Sequence, residues 1–429
     1  GNFGYNGSEN FSPNHRFGFF PSIAVGYVVS NEKFFAPIRD VVSMVKLKAS
    51  YGLVGNDQIG GDRRFIYNET VIGGGKYYFG TTPSQYTSVR LGEFPNPNVG
   101  WEKAKKLNLG ADLSFFNQLN ISVDYFKENR EGIFLQRKSI PMYVGLSTKP
   151  WVNIGKMRNS GIDASLEYHQ PLGKDLHLTV RGNFTYARNR IMDQDEPDYA
   201  YTYMNHSGQM QWQKFGLVAA GLFQDQEDID SWAKQSFGEV KPGDIKYLDL
   251  NGDGIVDNYD TKPIGYSDIP EIVYGFGFSL QWKAFDLSAF FQGVAHVSFS
   301  TLTDQTQAFV GRNLKESSVF ADLYGNTWTP ENPGAKYPRM TTGAIDNNNQ
   351  LSTFWMANGR YLRLKNLELG YTLPKRIANK IAMQSLRVYL SGVNLFTFSP
   401  FKLWDPDLQT GATNYPNNRI INLGLTIGF

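Results

Sequence analysis

The chain contains no cysteine. A disulfide framework, a cysteine–zinc site and a cysteine nucleophile are therefore excluded, and the absence is compatible with an oxidising cell surface. No run of about 18 apolar residues occurs, so no transmembrane helix is read. Charged residues are scarce, at 19% of 429, against roughly 25% in soluble domains. Net charge is +2 and the basic residues are scattered, which argues against a nucleic-acid partner. A nucleophile elbow, a His-Glu-x-x-His motif and a convincing acid pair are all missing, so no enzyme is read. His15, His169, His177, His206 and His296 lack metal-ligand spacing and read as interface or loop histidines. Gly73-Gly74-Gly75 reads as a flexible loop, because no strand-to-helix context makes it a phosphate cradle.

What the chain has is alternation. Ile421, Leu423, Leu425, Ile427 and Phe429 fall on one side of a strand, and Asn422, Gly424, Thr426 and Gly428 on the other. A strand of about nine to eleven residues crosses a bilayer at a tilt. This one reads as a barrel strand with its apolar face to lipid and its polar face to a wet lumen. The pattern recurs at 45–51, 107–115, 119–125, 162–168 and 176–186. Asp112, Asp124 and Glu167 lie on the second face and need water or a polar plug. A soluble sheet with those carboxylates on its outer face fits the alternation alone.

Connection lengths separate the two readings. Phe115–Leu119, Gln170–Leu176 and Trp282–Asp286 are tight, while 136–154, 192–270, 300–353 and 400–419 are long. Outer-membrane barrels alternate short periplasmic turns with long external loops. Soluble β domains rarely carry several structureless loops beyond about 15 residues. With the last strand running inward, every short connection falls on the periplasmic side. Strands are expected near 17–29, 42–55, 101–115, 118–136, 152–170, 176–191, 271–282, 285–300, 355–373, 385–399 and 420–429, with residues 2–5 the tail of another. One helical turn is expected at 375–380. By parity 192–270 holds none or two crossings, with 208–223 ambiguous. The fold class is all-β: a transmembrane antiparallel barrel, partial, of about 12–14 strands with long extracellular loops. A barrel must be secreted, and no signal peptide precedes Gly1. The expectation is the carboxyl-terminal piece of a longer protein.

Residues 249–260 fit a calcium loop. Asp249, Asn251, Asp253, Asp257 and Asp260 stand at positions 1, 3, 5, 9 and 12, Gly254 at position 6, and Ile255 offers its carbonyl at position 7. Asp at position 12 reaches less far than Glu, so Ca²⁺ would be held weakly and structurally. A chain of Asx turns is the alternative. Tyr77, Tyr78, Phe79, Tyr86, Tyr199, Tyr201, Tyr203, Trp212 and Trp328 are loop aromatics suited to stacking on sugars or binding peptides. Loop self-packing or an interfacial girdle is the reading favoured for any one of them.

Several segments carry a resemblance. They are Gly243-Asp244-Ile245-Lys246-Tyr247 before the 249–260 loop, with Gly265 and Pro270, and the stretches 358–366, 369–374 and 386–396. Trp404-Asp405-Pro406-Asp407 follows, and 48–52, Gly55-Asn56, 96–98 and Trp101-Glu102 lie upstream. Together they resemble the SusC/RagA-like group of TonB-dependent transporters over nearly the whole chain. The resemblance implies a barrel of about 22 strands with an amino-terminal plug. It implies uptake of oligosaccharides or peptides across the outer membrane of Bacteroidetes-type bacteria, beneath a SusD-like surface lipoprotein lid. TonB would supply the energy through the missing amino-terminal segment. Residues 1–429 would be the carboxyl-terminal part of such a barrel, in contact with outer-membrane lipid, and 192–270 an extracellular region. No signal, TonB box, plug or first eight to ten strands is present. A non-transporting surface binding or assembly component, and a soluble calcium-binding β protein such as a lectin, are the other functional classes.

Overall fold

A computed structural model describes residues 1–429 except 61–62, 147, 304–305, 308–319, 382 and 412–413. Twelve strands form one sheet in which every neighbouring pair is antiparallel. They are β1 (Asn2–Gly7), β2 (Phe17–Val28), β3 (Val42–Asn56), β4 (Glu102–Phe115), β5 (Leu119–Gln136) and β6 (Trp151–Pro171). The remainder are β7 (Leu176–Asp193), β8 (Ile272–Trp282), β9 (Phe285–Ala295), β10 (Tyr361–Thr372), β11 (Ser385–Phe398) and β12 (Ile420–Gly428). Spatial order follows chain order, and β1 and β12 are the two edges of an open sheet. The expected strands are all present. Among the described residues, 192–270 adds no crossing.

Register turns the alternation into rows. Leu178, Leu280, Leu287, Leu369, Leu390 and Leu423 pair side by side across six strands. The row nearer the short turns reads Leu176, Trp282, Phe285, Tyr371, Val388 and Leu425. Within it the Phe285 and Tyr371 rings lie 4.7 Å apart, a favourable cross-strand aromatic pair. Leu423 is 78% exposed and Leu425 57%, so this face has no protein core to fill and meets its surroundings directly. A slip of one residue would carry the whole row to the other face.

The short connections 116–118, 172–175 and 283–284 lie at one end of the sheet. A four-residue helix, Lys375–Ala378, and a 3₁₀ turn, Asn379–Ile381, occupy the expected helical position at that same end. The long connections leave from the opposite end.

Three details differ from expectation. Gly73-Gly74-Gly75 is not a loop but part of a strand, Val71–Phe79, paired with Ser84–Leu91. Three residues without side chains erase the period on which strand reading depends, and the pairing skips register between Gly73 and Lys76. The strand expected at 285–300 ends at Ala295, because His296 turns to φ 51°. Ser298–Ser300 and Met356–Asn358 then pair as a separate ribbon. Segment 208–223 forms short strands that pair within the excursion (Lys214–Gly216 with Lys262–Ile264, Ala219–Leu222 with Ile245–Tyr247) and do not join the wall.

Arginine on the outward face of a barrel costs roughly 2–4 kcal/mol near the bilayer midplane and about 0–1 kcal/mol at its borders. Leu423 sits one row deeper than Leu425, which shares the Trp282–Phe285 row. We therefore expect Leu423→Arg to impair assembly of the whole receptor more than Leu425→Arg. Heat-modifiable gel migration measures this, and equal migration of the two variants contradicts the depth order.

Candidate transport surface: the polar wall and the external loops

The face opposite the leucines carries charge in paired form. Lys48, Gly110, Asp124, Asp163 and Thr185 form one row across five strands. Lys48 Nζ donates to Asp112 Oδ1 at 2.7 Å and approaches Asp124 Oδ2 at 3.4 Å. It must cross β4 to reach Asp124, and it does so over Gly110, where a Cβ would collide with the Asp124 carboxylate. The same device recurs on β10. Arg387 of β11 reaches over Gly370 to Asp286 of β9, with Nε to Oδ2 at 3.1 Å and Nη2 to Oδ1 at 2.5 Å, and Nη2 also meets Glu368 at 2.5 Å. Glu167 takes Arg181 Nε at 2.8 Å and lies 3.1 Å from His169 Nε2. These half-exposed pairs contribute little stability. They hold long side chains against the wall, while Asp163 accepts from Thr185 Oγ1 at 2.8 Å and has no cation within 4.0 Å among the described residues. Asp112, Asp124 and Glu167 thus all lie on the face that alternation assigned them.

At the far end the long connections fold onto one another. The 194–271 and 296–360 excursions share a core of Leu217, Leu222, Ile245, Tyr247, Val256, Leu323, Trp328, Tyr337 and Trp355. Buried polar contacts at its centre join the two. Asp244, fully buried, faces Arg339 with Nε at 2.8 Å and accepts from Nη2 at 3.0 Å and from Asn348 Nδ2 at 2.9 Å. Asn348 Oδ1 accepts from Ile245 N, and Asn347 Nδ2 donates to Ile245 O. Tyr247 Oη donates to the Asn347 carbonyl at 2.9 Å, and burial pushes its hydroxyl well above the ordinary range, so it stays protonated. Here side-chain amides do what a β-ladder does elsewhere for buried backbone groups. The signal for this in the sequence is the amide run Asn347-Asn348-Asn349-Gln350, which lies in the long 300–353 connection.

Other motif residues also find one another. Arg363, 2% exposed, binds Asp405 Oδ1 at 2.5 Å and Asp407 Oδ2 at 2.9 Å, while Tyr361 Oη donates to Asp407 at 2.5 Å. The start of β10 is thereby clamped to the Trp404-Asp405-Pro406-Asp407 segment. Lys246 Nζ lies 2.6 Å from Asp228 and 4.1 Å above the Trp232 ring. A second small core of Phe11, Ile59, Ile66, Val99 and Phe134, with Trp101 and Trp151, anchors the base of the 57–101 connection.

The 249–260 residues form one loop closed by its own amides. Asp249 accepts from Gly252 N and Gly254 N, Asn251 from Asp253 N, Asp253 from Ile255 N, and Asp257 from Tyr259 N. Asp260 is fully buried and takes three amides, those of Leu250, Asn251 and Asp257. Among the described residues no three His, Cys, Asp or Glu side chains meet in a group that could hold a metal ion. In this geometry the donor set serves the backbone. Of the loop aromatics, Trp328 is in the core and Tyr201 stacks on Tyr203 at 5.4 Å. Tyr77, Tyr78, Phe79 and Tyr86 stand exposed on the 71–91 ribbon, and Trp212 is also exposed. His206 stacks on Phe215 and His296 on Tyr266, with His296 Nδ1 3.1 Å from Glu271.

A sheet that is apolar on one face and lined with polar groups and ion pairs on the other, with short turns at one end and folded loops at the other, defines the wall of an outer-membrane β-barrel transporter. A family model described as "TonB dependent receptor-like, beta-barrel" matches residues 1–395, and the chain belongs to that family. The family is one of receptors and transporters of the outer membrane, which sets aside a soluble lectin. TonB-dependent receptor P3 of Formosa agariphila is 30% identical, over 99% of this chain and 43% of that protein. TonB-dependent receptor SusC of Bacteroides thetaiotaomicron is 26% identical, over 99% of this chain and 41% of that protein. The RagAB peptide importer in its open-open state superposes with a TM-score of 0.75 at 22% identity, over 98% of this chain and 44% of that one. The chain thus spans less than half the length of the relatives it matches. By family architecture, the long-loop end faces outward.

Removing the Asp244 carboxylate leaves Arg339 unpaired in a largely dry site, a loss of roughly 3 kcal/mol or more. Asp244→Ala should open the excursions to proteolysis while the wall keeps its heat-modifiable migration. Unchanged cleavage within 194–360 would contradict the role given to this contact.

Proposed function

We propose that this chain supplies the wall and outer loops of a TonB-energised importer that takes oligosaccharides or peptides through the outer membrane beneath a SusD-like surface lipoprotein. The observation that carries the reading is the polar face, with its ion pairs, running along the wall behind an apolar outer face. Solute passing such a wall meets anchored ion pairs and hydroxyls. Likeness to SusC and to a peptide importer supports nutrient uptake as the class. The folded loops, tied together through Asp244 and Arg363, offer a firm surface for a lid. The barrel residues contribute shape and polarity; chemistry is not assigned to them.

Deleting the whole receptor in its source bacterium should abolish uptake of a labelled glycan or peptide mixture. Loss of TonB should stop uptake while surface binding persists. Uptake indifferent to TonB, with binding retained, would favour the alternative of a surface binding or assembly component.

We also propose, on residue spacing, that Ca²⁺ binds within 249–260 through Asp249, Asn251, Asp253, Ile255, Asp257 and Asp260. Binding would require Asp260 to exchange its three amides for the ion, so the loop would rearrange on loading. Asp253→Ala and chelator should each increase cleavage at 244–268 without unfolding the barrel. Cleavage that ignores both chelator and added Ca²⁺ would leave the loop as a chain of Asx turns.

A further inference from the structure

The outward face of β3–β7 changes character at one level. The row Ala49, Leu109, Tyr125, Ile162 and Tyr186 is apolar and aromatic. The next row toward the long-loop end reads Tyr51, Leu107, Lys127, Ser160 and Arg188. Beyond it stand Leu53, Lys105, Asn129, Arg158 and Arg190, and then Gly55, Lys103, Glu131, Lys156 and Asp193. Three successive rows therefore gather Lys103, Lys105, Lys127, Lys156, Arg158, Arg188 and Arg190 against only Glu131 and Asp193. On the neighbouring sector the apolar row continues with Ile272 and Ala295, and both strands end there. The basic terrace belongs to one side of the wall.

Its height and its unbalanced charge are independent observations. From Leu119 to Asn129 the strand runs about 34 Å, which a tilt of about 40° reduces to about 26 Å of height, close to the apolar band of an outer-membrane barrel. The terrace thus stands at the external headgroup level. Lys105 pairs with Glu131 at 2.9 Å, Lys156 with Asp193 at 3.8 Å and Arg188 with Glu271 at 2.5 Å. Among the described residues, Lys103, Lys127, Arg158 and Arg190 have no carboxylate within 4.0 Å. Arg158 and Arg190 are exposed and donate to Asn129 Oδ1 at 3.1 Å and to Gly208 O at 3.4 Å respectively.

We propose that this terrace binds the phosphate groups of anionic lipid in the external leaflet. The apolar rows below hold the acyl chains, and the headgroup is then carried to the level where cations wait. Arginine offers phosphate a planar, two-pronged donor, and lysine adds a point charge. The proposal rests on the orientation of the wall and not on solute import, so each can fail without the other.

The test uses the whole receptor reconstituted into phosphatidylcholine vesicles with or without diphosphorylated lipid A. Lipid retained after detergent extraction is measured by native mass spectrometry. The receptor should retain lipid A in preference to phosphatidylcholine. The triple variant Lys127→Gln, Arg158→Gln, Arg190→Gln should retain it roughly tenfold less or lower, with heat-modifiable migration as the check on folding. Removing three charges at the short-turn end, with Lys174→Gln, Lys283→Gln and Lys380→Gln, should leave retention unchanged. Equal retention by the two triple variants overturns the proposal. So does displacement of lipid A by inorganic phosphate at matching concentration, which would mark a free-ion site. Equal retention of lipid A and phosphatidylcholine by the unaltered receptor also overturns it, whether or not any variant folds.

Discussion

A peptide N–H in hydrocarbon has no water to bond, and each one left unpaired costs several kcal/mol. Every wall strand must therefore give its amides to a neighbour, and the register of that pairing fixes all else. Because side chains alternate, register decides which residues share a row and which face each row meets. The row of six leucines from Leu178 to Leu423 is the visible result. Lipid contact, lumen polarity and the position of the external rim all follow from that one set of pairings.

On the inner side the same register creates a steric problem. Ion pairs between next-nearest strands must cross the strand between them, and a side chain there would block the path. Gly110 and Gly370 clear it for Lys48 and Arg387. A single missing Cβ lets one cation serve carboxylates on two strands. The Lys48 and Arg387 charges are thereby paired within the wall.

Beyond the rim, water returns and the rule relaxes. Long connections need no sheet to satisfy their amides, yet here they bury a core of their own. The cost of burying loop backbone is met by Asn347, Asn348 and Asp244, which take the place of a ladder. The excursions of 194–271 and 296–360 act as one body because Asp244 meets Arg339 and Asn348, and Ile245 and Tyr247 meet Asn347 and Asn348, across the gap between them. The 399–419 connection joins it through Gln409, which donates to the Asp268 carbonyl, and through Trp404 against Phe299 and Phe320.

The wall was legible before any coordinate. Period-two alternation is a local property, so β3–β7 and β12 could be read from their own residues, and short turns gave their direction. Strand reading failed where side chains give no period, at Gly73-Gly74-Gly75, and where one backbone turn at His296 splits a continuous apolar stretch. The calcium-type spacing at 249–260 was plain, but the duties of its oxygens were not, since Asp260 accepts the amides of Leu250 and Asn251 from across its own loop. The partnerships of Asp244 with Arg339 and of Arg363 with Asp405 were hidden in the sequence, although most of these residues lie in segments that carry the family resemblance. Local alternation determined what each strand is and which side is oily. Which distant residues meet, and at what height the basic terrace stands, was decided only by folding, because register and long-range contact are properties of pairs and no single segment carries them.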